Sequence, residues 1–537
     1  MPSITRRDFL NGTALAIVSG LTPAAQLGAA AAHYPPALTG MRGQHLGSFE
    51  IAHAFARESQ RFGVDEAAAE ESYDLVVVGG GISGLSAAWF YRRAVGPQAR
   101  ILILDNHDDF GGHAKRNEFV AGPHMLIGYG GSQSIQSPKT LWSDVAKGLL
   151  RDIGVDIMRF ETAFEHGFYS SLGLSRGVFF DRETFGRDTL IADDPLLARR
   201  TEAGAGLAKF VAAAPLADLS KRQLLSLYDP VRDPLAGKSA GEKLKILKAT
   251  SYRDYLIKLC GCSEEVANCF QGRPLGFFGL GCDAVPAFEL RSLGYPGFAG
   301  LGLPSDEHPE WNEPYIYHFP DGNASLARLL VRALVPDVAA GRTMDDIVLA
   351  GFDYDRLDRN ESSVRIRLAS TVVDVRQRGE AVSIGYVRDG APHRVTAKHA
   401  VLACFHMMIP YLMPDLPQAQ REALARNVKT PLVYTNVVTR NWQPWLALKV
   451  SDIAAPMSFF NHVALDFPVD LGGYRHPRDP AEPIVLHSRT RARRTEFRTR
   501  RACPISHRSG EAFRHDIRRF RNPNPRSTRP HARSRRL

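Results

Sequence analysis

The feature that most constrains this chain is an aliphatic run that breaks into a glycine-rich turn. Residues 74–78 predict a strand buried on both faces of a parallel sheet, and residues 85–88 continue as a helix. The pattern G-x-G-x-x-G between them permits a sharp turn, a close approach of backbone to phosphate and tight helix packing. The helix N-terminus adds unpaired N–H groups for an anion. The residues assigned to this dinucleotide-binding turn are Gly79, Gly81, Ile82, Ser83 and Gly84.

One G-x-G-x-x-G match is a weak signal, so its context matters. A second aliphatic run, residues 101–104, ends at Asp105, which lies 21 residues after Gly84. A carboxylate at this distance accepts hydrogen bonds from the ribose of a bound dinucleotide. The combination predicts a Rossmann-like domain, and the alternative is an ordinary glycine turn after a parallel strand.

The first 32 residues are similar to an export signal. Arg6 and Arg7 precede a short apolar segment, residues 14–21, and small residues surround position 30. This order resembles a twin-arginine signal peptide, so we expect the twin-arginine export machinery as a partner and the periplasm as the location. The alternative is a chance arginine pair before an alanine-rich leader. The apolar segment is too short and interrupted for a permanent membrane span.

The net charge of +10 is concentrated at the C-terminus. Residues 488–537 contain 17 Arg, no Lys and 3 acidic residues, a net +14, which leaves −4 on residues 1–487. Apolar periodicity also ends at residue 488. Two interpretations remain open: a disordered basic tail that binds nucleic acid or another acidic surface, and a shifted reading frame in a GC-rich gene. We favour the second and expect no nucleic-acid partner.

The cysteines have no spacing that is typical of metal ligands. The chain lacks any C-x-x-C pair, so no metal site is predicted. We expect buried free thiols, with a disulfide from Cys260 or Cys262 to Cys269 or Cys282 as the alternative. The remaining cysteines are Cys404 and Cys503.

A second glycine loop follows the ribose acid. Gly111 and Gly112 are followed by His113 and Arg116. This stretch resembles two-dinucleotide-binding flavoproteins, in which a glycine pair lets the loop pass beneath the cofactor and basic residues after it face the phosphates. A nicotinamide-only Rossmann domain has no need of this loop. The resemblance therefore favours FAD over NAD.

A third glycine loop precedes a helical pattern at residues 140–153. It resembles the loop beside the isoalloxazine ring in flavin amine oxidases, and the alternative is a surface turn. The residues assigned to the flavin in this loop are Gly130, Gly131, Ser132 and Gln133.

The pattern predicts an α/β protein with a Rossmann-like FAD-binding domain, an antiparallel β-meander and a mixed, mainly helical substrate domain. We expect a strand, a turn and a helix between residues 315 and 334. The strands 364–368, 371–376 and 381–388 are predicted as the meander, and residues 399–404 as a returning parallel strand. The predicted segments are the signal 1–32, an N-terminal extension 33–72, FAD-binding parts 73–155 and 315–410, substrate-domain parts 156–314 and 411–487, and the tail 488–537.

Together these motifs resemble the FAD-dependent amine oxidase superfamily, and most closely the bacterial spermidine dehydrogenases, up to about His487. The stretches that carry the resemblance are GGGISGL, LDNHDDFGGHAKRNEF, GYGGSQS, HFPDGNAS, VLACFHMMIPY and PLVYTNV. The resemblance implies FAD as cofactor, a polyamine such as spermidine as substrate, and an electron acceptor other than NAD. It also implies that the backbone of Val373 contacts the adenine. The motifs specify the flavin more closely than the amine.

The resemblance also suggests two catalytic candidates. Lys429 is the nearest lysine to the place where the superfamily often has one beside flavin N5. His406 follows the predicted returning strand and would face the flavin or substrate. The alternatives are a solvated lysine and a structural histidine.

Two other functions remain. The first is flavin-dependent desaturation of an apolar chain. The second is an inactive truncated remnant with a basic tail, because the superfamily's last segment returns to the flavin domain and no such glycine-bearing segment follows His487.

Overall fold

The computed structural model describes residues 34–197, 204–304, 313–427 and 429–491. The predicted export signal, Cys503 and the chain after residue 491 lie outside these ranges. The strands are β1 Ala69–Val78, β2 Ile101–Leu104, β3 Arg116–Ala121, β4 His124–Tyr129, β5 Ser175–Phe180, β6 Thr189–Ala192, β7 Val364–Arg367, β8 Ser370–Arg378, β9 Ala381–Arg388, β10 Ala391–Leu402, β11 Leu432–Thr439, β12 Val450–Ala454, β13 His462–Leu465 and β14 Ile484–Arg491.

The helices surround three sheets. They are α1 Glu50–Arg57, α2 Ile82–Val95, α3 Asp144–Asp152, α4 Arg159–Ala163, α5 Phe168–Ser171, α6 Arg182–Phe185, α7 Gly204–Ala213, α8 Asp218–Ser226, α9 Ala240–Ala249, α10 Tyr252–Asp254, α11 Glu264–Asn268, α12 Leu275–Phe278, α13 Ala287–Ser292, α14 Ala324–Leu334, α15 Met344–Ile347, α16 Ile409–Leu412, α17 Gln418–Ala425 and α18 Gln443–Leu448. A π-helical turn spans Tyr255–Leu259.

The first sheet has the strand order β7-β2-β1-β10-β9-β8. Strands β7, β2, β1 and β10 pair parallel in this order, whereas β10, β9 and β8 pair antiparallel. The predicted α/β class with a Rossmann-like domain is therefore confirmed.

The parallel strands are apolar throughout because both of their faces are covered. Leu75 and Val77 pack with side chains of α2 and α14. Val76 and Val78 pack on the opposite face against β8, β9 and β10. Successive side chains of a strand point to opposite faces. A continuous aliphatic run is thus what a strand between two layers requires.

Strand pairing differs from the prediction at two places. β7 was expected to begin the meander, but it pairs parallel to β2 at the edge of the sheet. The returning strand begins at Ala391 rather than residue 399; residues 391–397 pair with β9, and residues 394–402 pair with β1 on the other side. Apolar alternation indicates that a segment is a strand, but it does not determine which other strand it pairs with.

Two local predictions also differ in their bounds. The helix expected over 140–153 begins at Asp144, because the Ser143 hydroxyl accepts a hydrogen bond from the Ala146 N–H and caps it. Residues 315–317 form no strand, although the helix that follows ends at Leu334 as expected.

A second sheet has the order β11-β14-β13-β12-β5-β6. The segment 156–314, predicted as part of a mixed, mainly helical substrate domain, supplies β5 and β6, and β5 pairs parallel to β12. The helices between Gly204 and Ser292 pack around a separate core that includes Tyr252 and Phe270. This part of the chain is therefore mixed, with a sheet that joins its two segments.

The last described strand passes the boundary predicted at Ser488. Ser488 pairs with Thr435 and Val463, and the ladder with β11 continues to Arg491. Four residues of the predicted tail thus complete a strand.

Candidate functional site

At two positions of the first glycine turn, the packing of the protein backbone requires glycine. Gly79 has a φ of 111°, and a Cβ there would lie 2.7 Å from the carbonyl oxygen of Ala403. A Cβ on Gly84 would lie 1.9 Å from the carbonyl oxygen of Gly79. Gly81 is different, because its Cβ would approach Gly112 Cα at 3.6 Å, an ordinary contact. Packing within the described chain thus does not explain Gly81, whereas close approach of a pyrophosphate would.

The helix that follows this turn presents an uncapped N-terminus. Gly81 is the N-cap residue of α2, and within the described chain no side chain accepts a hydrogen bond there. The N–H groups of Ile82 and Ser83 belong to the first turn, whose donors have no partner inside the helix. The 14-residue helix α2 also places the positive end of its dipole at this point. The turn has the donors that an anion requires.

Asp105 lies directly beside the turn. Its side chain is 7% exposed, and the Gly80 N–H donates to Oδ2 at 2.6 Å. The His107 N–H donates to Oδ1 at 2.8 Å. A carboxylate oxygen accepts more than one hydrogen bond, so these contacts orient the acid and leave it able to accept from a ribose hydroxyl.

The second glycine loop packs on the first. The Gly111 N–H donates to the Gly80 carbonyl oxygen at 2.8 Å. Gly112 has a φ of 60°, and a Cβ on it would lie 3.1 Å from Gly81 Cα. Two backbones therefore meet without side chains between them, which is the close approach expected beneath a dinucleotide.

Arg116 is buried and forms ion pairs inside the protein. Its guanidinium is 4% exposed and contacts Asp321 at 2.9 Å and Glu118 at 2.8 Å. Burial lowers the pKa of Arg116, but these two carboxylates outweigh it and raise the pKa overall. The side chain is thus an internal ion-pair partner, and its contact with the phosphates stays a prediction. The partner 205 residues away explains why the sequence pattern did not reveal this ion pair.

His113 lies at the open side of the same loop. Its ring is 5.7 Å from the ring of Phe405. Partial burial lowers the pKa of His113, and the positive charges of Lys429 and Lys115 lower it further. The structure thus brings Lys429 toward the second glycine loop. His406 is exposed and its Nδ1 lies 2.8 Å from Asn427 Nδ2, so the catalytic roles of Lys429 and His406 stay predictions.

The third glycine loop follows β4 and contacts the second sheet and the start of α14. The Gly130 N–H donates to the Lys115 carbonyl oxygen at 2.8 Å. Ser132 accepts a hydrogen bond from Asn323 Nδ2 at 2.9 Å, and Gln133 accepts one from the Tyr434 hydroxyl at 3.4 Å. At Gly131 a Cβ would lie 3.5 Å from the His113 carbonyl oxygen. The loop is therefore held on three sides.

Val373 lies at an irregularity of β8. The ladder with β9 shifts register between Val372 and Asp374, so Val373 falls outside the regular pairing. Its side chain is 3% exposed and packs with Leu104. A bulge next to the dinucleotide end of β2 fits a backbone that contacts an adenine, and the contact itself stays a prediction.

An aromatic group surrounds the third loop. The rings of Tyr129 and Tyr434 lie 5.2 Å apart, and His318 lies 4.5 Å from Phe467. Burial raises the pKa of Tyr434 to about 12. Burial lowers the pKa of His318 to about 4. All of these rings are neutral at physiological pH.

A buried polar network supports this group, and sequence reasoning missed it. His487 is 1% exposed, and its ring centroid is 4.0 Å from that of Tyr129. Its Nε2 lies 2.8 Å from Asp466 and its Nδ1 lies 2.7 Å from Asn436 Oδ1. Asn436 lies within PLVYTNV, but no local pattern connects it to residues on other strands.

A cavity of about 130 Å³ opens next to the third loop. Ser134, Glu313, Tyr315 and Tyr317 are among its lining residues. Glu313 accepts hydrogen bonds from the N–H and the hydroxyl of Thr140. The cavity thus combines a carboxylate with two aromatic rings.

Three further observations concern the described ranges. The five cysteines there are free, and four of them are buried, as expected for structural thiols. Within these ranges no group of three His, Cys, Asp or Glu side chains is arranged to hold a metal ion. No described helix is both long and apolar enough to cross a membrane.

Comparison with known protein families supports a Rossmann-like domain around the first glycine turn. Residues 77–149 match the family of NAD(P)-binding Rossmann-like domains. A search of curated proteins gives no significant match.

Solved structures resemble the chain at low identity. A wild-type putrescine oxidase bound to putrescine is 16% identical over 84% of this chain and 82% of its own, with a TM-score of 0.42. Cyclohexylamine oxidase from Brevibacterium oxydans IH-35A is 16% identical over 83% and 80%, with a TM-score of 0.40. A fatty acid isomerase from P. acnes that produces CLA is 13% identical over 83% and 82%, with a TM-score of 0.40. At TM-scores below 0.5 these similarities are too distant to identify a reaction.

Proposed function

We propose that this protein is an exported FAD-dependent oxidoreductase that oxidises an amine of the spermidine type to an imine in the periplasm. Its electrons would pass to an acceptor other than NAD. The observation that carries the proposal is the contact of the Gly111-Gly112 loop with the first glycine turn. A domain that binds only a nicotinamide cofactor needs the first turn alone.

The residues fit FAD along its length. Asp105 would bind the ribose, and the uncapped start of α2 would bind the pyrophosphate. The third loop, with Gly130 and Gly131, would lie beside the ring system. FAD supplies an acceptor for a hydride equivalent from the carbon next to the amine nitrogen.

The surroundings of the third loop suit an amine. The aromatic rings of Tyr129 and Tyr434 would exclude water beside this loop, which favours the neutral amine that reacts. The cavity beyond it offers the Glu313 carboxylate and the side chain of Tyr315, and both kinds of group attract an ammonium. A chain with a second ammonium, as in a polyamine, would place it in this cavity.

The proposal is tested by purifying the full-length chain and recording its visible spectrum. We expect stoichiometric flavin absorbance that is lost when spermidine is added without oxygen. Loss with an isoprenoid but not with polyamines would establish the desaturase instead. A colourless or aggregated product would support the inactive remnant.

A further inference from the structure

The N-terminal segment packs across the dinucleotide end of the first sheet. Phe55 of α1 is 8% exposed and belongs to the same core as Leu104 and Val373. The Tyr34 hydroxyl donates to Glu118 Oε1 at 2.8 Å. Both ends of residues 34–57 are thus fixed on the domain that they cover.

Between these ends the segment holds the loop that follows the ribose acid. Arg42 forms an ion pair with Asp108 Oδ2, and His45 Nε2 lies 3.2 Å from Asp108 Oδ1. The Asn106 side-chain amide donates to the carbonyl oxygen of Ser48. Ser48 is 1% exposed, so the contact is shielded from water.

His45 is suited to hold a carboxylate. Its Nδ1 lies 2.6 Å from the carbonyl oxygen of Arg42, while its Nε2 faces Asp108. Both ring nitrogens therefore face oxygen atoms. Asp108 is thus contacted by two side chains, Arg42 and His45, from the same segment.

The residue enclosed by these contacts is His107. Its ring lies 5.7 Å from that of His45 at an angle of 77°. Burial lowers the pKa of His107 despite the nearby Asp105 carboxylate, so the ring is neutral. Its Nδ1 is buried and has no hydrogen-bond partner among the described residues. Because Nδ1 is closed off by the protein itself, a ligand would reach this ring at Nε2, two residues after the ribose acid.

We propose that residues 34–57 form a clamp on the adenosine end of the dinucleotide site. Arg42 and His45 are positioning residues that hold Asp108 and, through this loop, keep the His107 ring where it hydrogen-bonds a ribose hydroxyl beside Asp105. This inference rests on the dinucleotide site of the proposed function, but it does not depend on the amine reaction.

The test uses the full-length protein depleted of flavin, with ADP, 2′-deoxy-ADP and 3′-deoxy-ADP as probes in calorimetric titrations. His107→Phe and the double variant Arg42→Ala with His45→Ala should each lose about tenfold in affinity for ADP, as expected for one hydrogen bond. They should lose less than about twofold for the deoxy nucleotide that lacks the bonded hydroxyl. Arg57→Ala, an exposed change in the same segment, should bind all three nucleotides as the wild type does.

The outcomes are separable. An equal loss of affinity for all three nucleotides, or no loss, would overturn the clamp. Arg42→Lys keeps the positive charge and should therefore retain most of the wild-type affinity for ADP. Absence of ADP binding by the wild type would overturn both the clamp and the dinucleotide site. If the nucleotides behave as expected but amines leave the flavin oxidised, the proposed reaction alone fails.

Discussion

Replacing Gly81 with alanine should remove the cofactor without weakening the protein. The residue has a φ of −72° and a ψ of 174°, which any amino acid adopts. The new Cβ would lie 3.6 Å from Gly112 Cα. Alanine at an N-cap costs about 0.5 kcal/mol, and the reduced freedom of the unfolded chain returns about 0.4–1 kcal/mol. The stability of the cofactor-free protein should change by less than about 0.5 kcal/mol.

Gly84→Ala is the matched control. Its Cβ would lie 1.9 Å from the Gly79 carbonyl oxygen, so α2 must move away from the turn. Overpacking of this kind costs about 3 kcal/mol. Gly81→Ala thus tests whether a ligand occupies the space beside residue 81. Gly84→Ala tests whether the packing of α2 against the turn requires glycine.

Urea unfolding with and without added FAD measures both effects. At a thousandfold excess over the dissociation constant, FAD should stabilise the wild type by about 4 kcal/mol. A loss of at least about 100-fold in affinity would remove about 2.7 kcal/mol of that in Gly81→Ala. If Gly81→Ala gains as much from FAD as the wild type does, the cofactor does not approach this residue.

Three other outcomes are expected. Arg116→Met should destabilise the protein by about 3–5 kcal/mol in urea unfolding, because Asp321 would remain buried without its partner; a smaller loss would mean that water reaches the pair. His318 has a pKa lowered by burial from 6.5 to about 4, so the unfolded chain binds the extra proton in this interval. The free energy of unfolding should therefore fall by about 3 kcal/mol between pH 7 and pH 4. In His318→Asn this part of the pH dependence should be absent. Thiol labelling at pH 8 with peptide mapping should leave Cys404 and the four buried cysteines unmodified in the native protein, since burial raises the pKa of Cys404 to about 11; rapid labelling would show that the site opens.

The dinucleotide turn was predictable because its geometry is local. Gly79, Gly84 and Asp105 lie within one strand-helix-strand unit, and each residue type answers a requirement of the backbone inside that unit. The same holds for Gly111 and Gly112, whose positive φ values favour glycine.

The roles of charged residues were less predictable from the sequence, because the role of a charged side chain depends on the groups that it contacts in the folded protein. Arg116 follows a glycine pair in sequence, but its guanidinium reaches Asp321 in the turn before α14. His487 was the end of the recognisable stretch, and the structure makes it the centre of a network with Asp466 and Asn436. Their sequence separations of 21 and 51 residues exceed any local pattern.

The sequence by itself determined the dinucleotide turn, the acid beside it and the two further glycine loops, since the absence of a side chain is visible in the chain and its effect is short-range. Only the tertiary structure decided that β7 joins the parallel sheet, that β10 pairs parallel with β1 and antiparallel with β9, and that residues 42–48 contact the loop after Asp105. These depend on which surfaces meet, and that choice depends on burial and on ion pairs between segments distant in the chain.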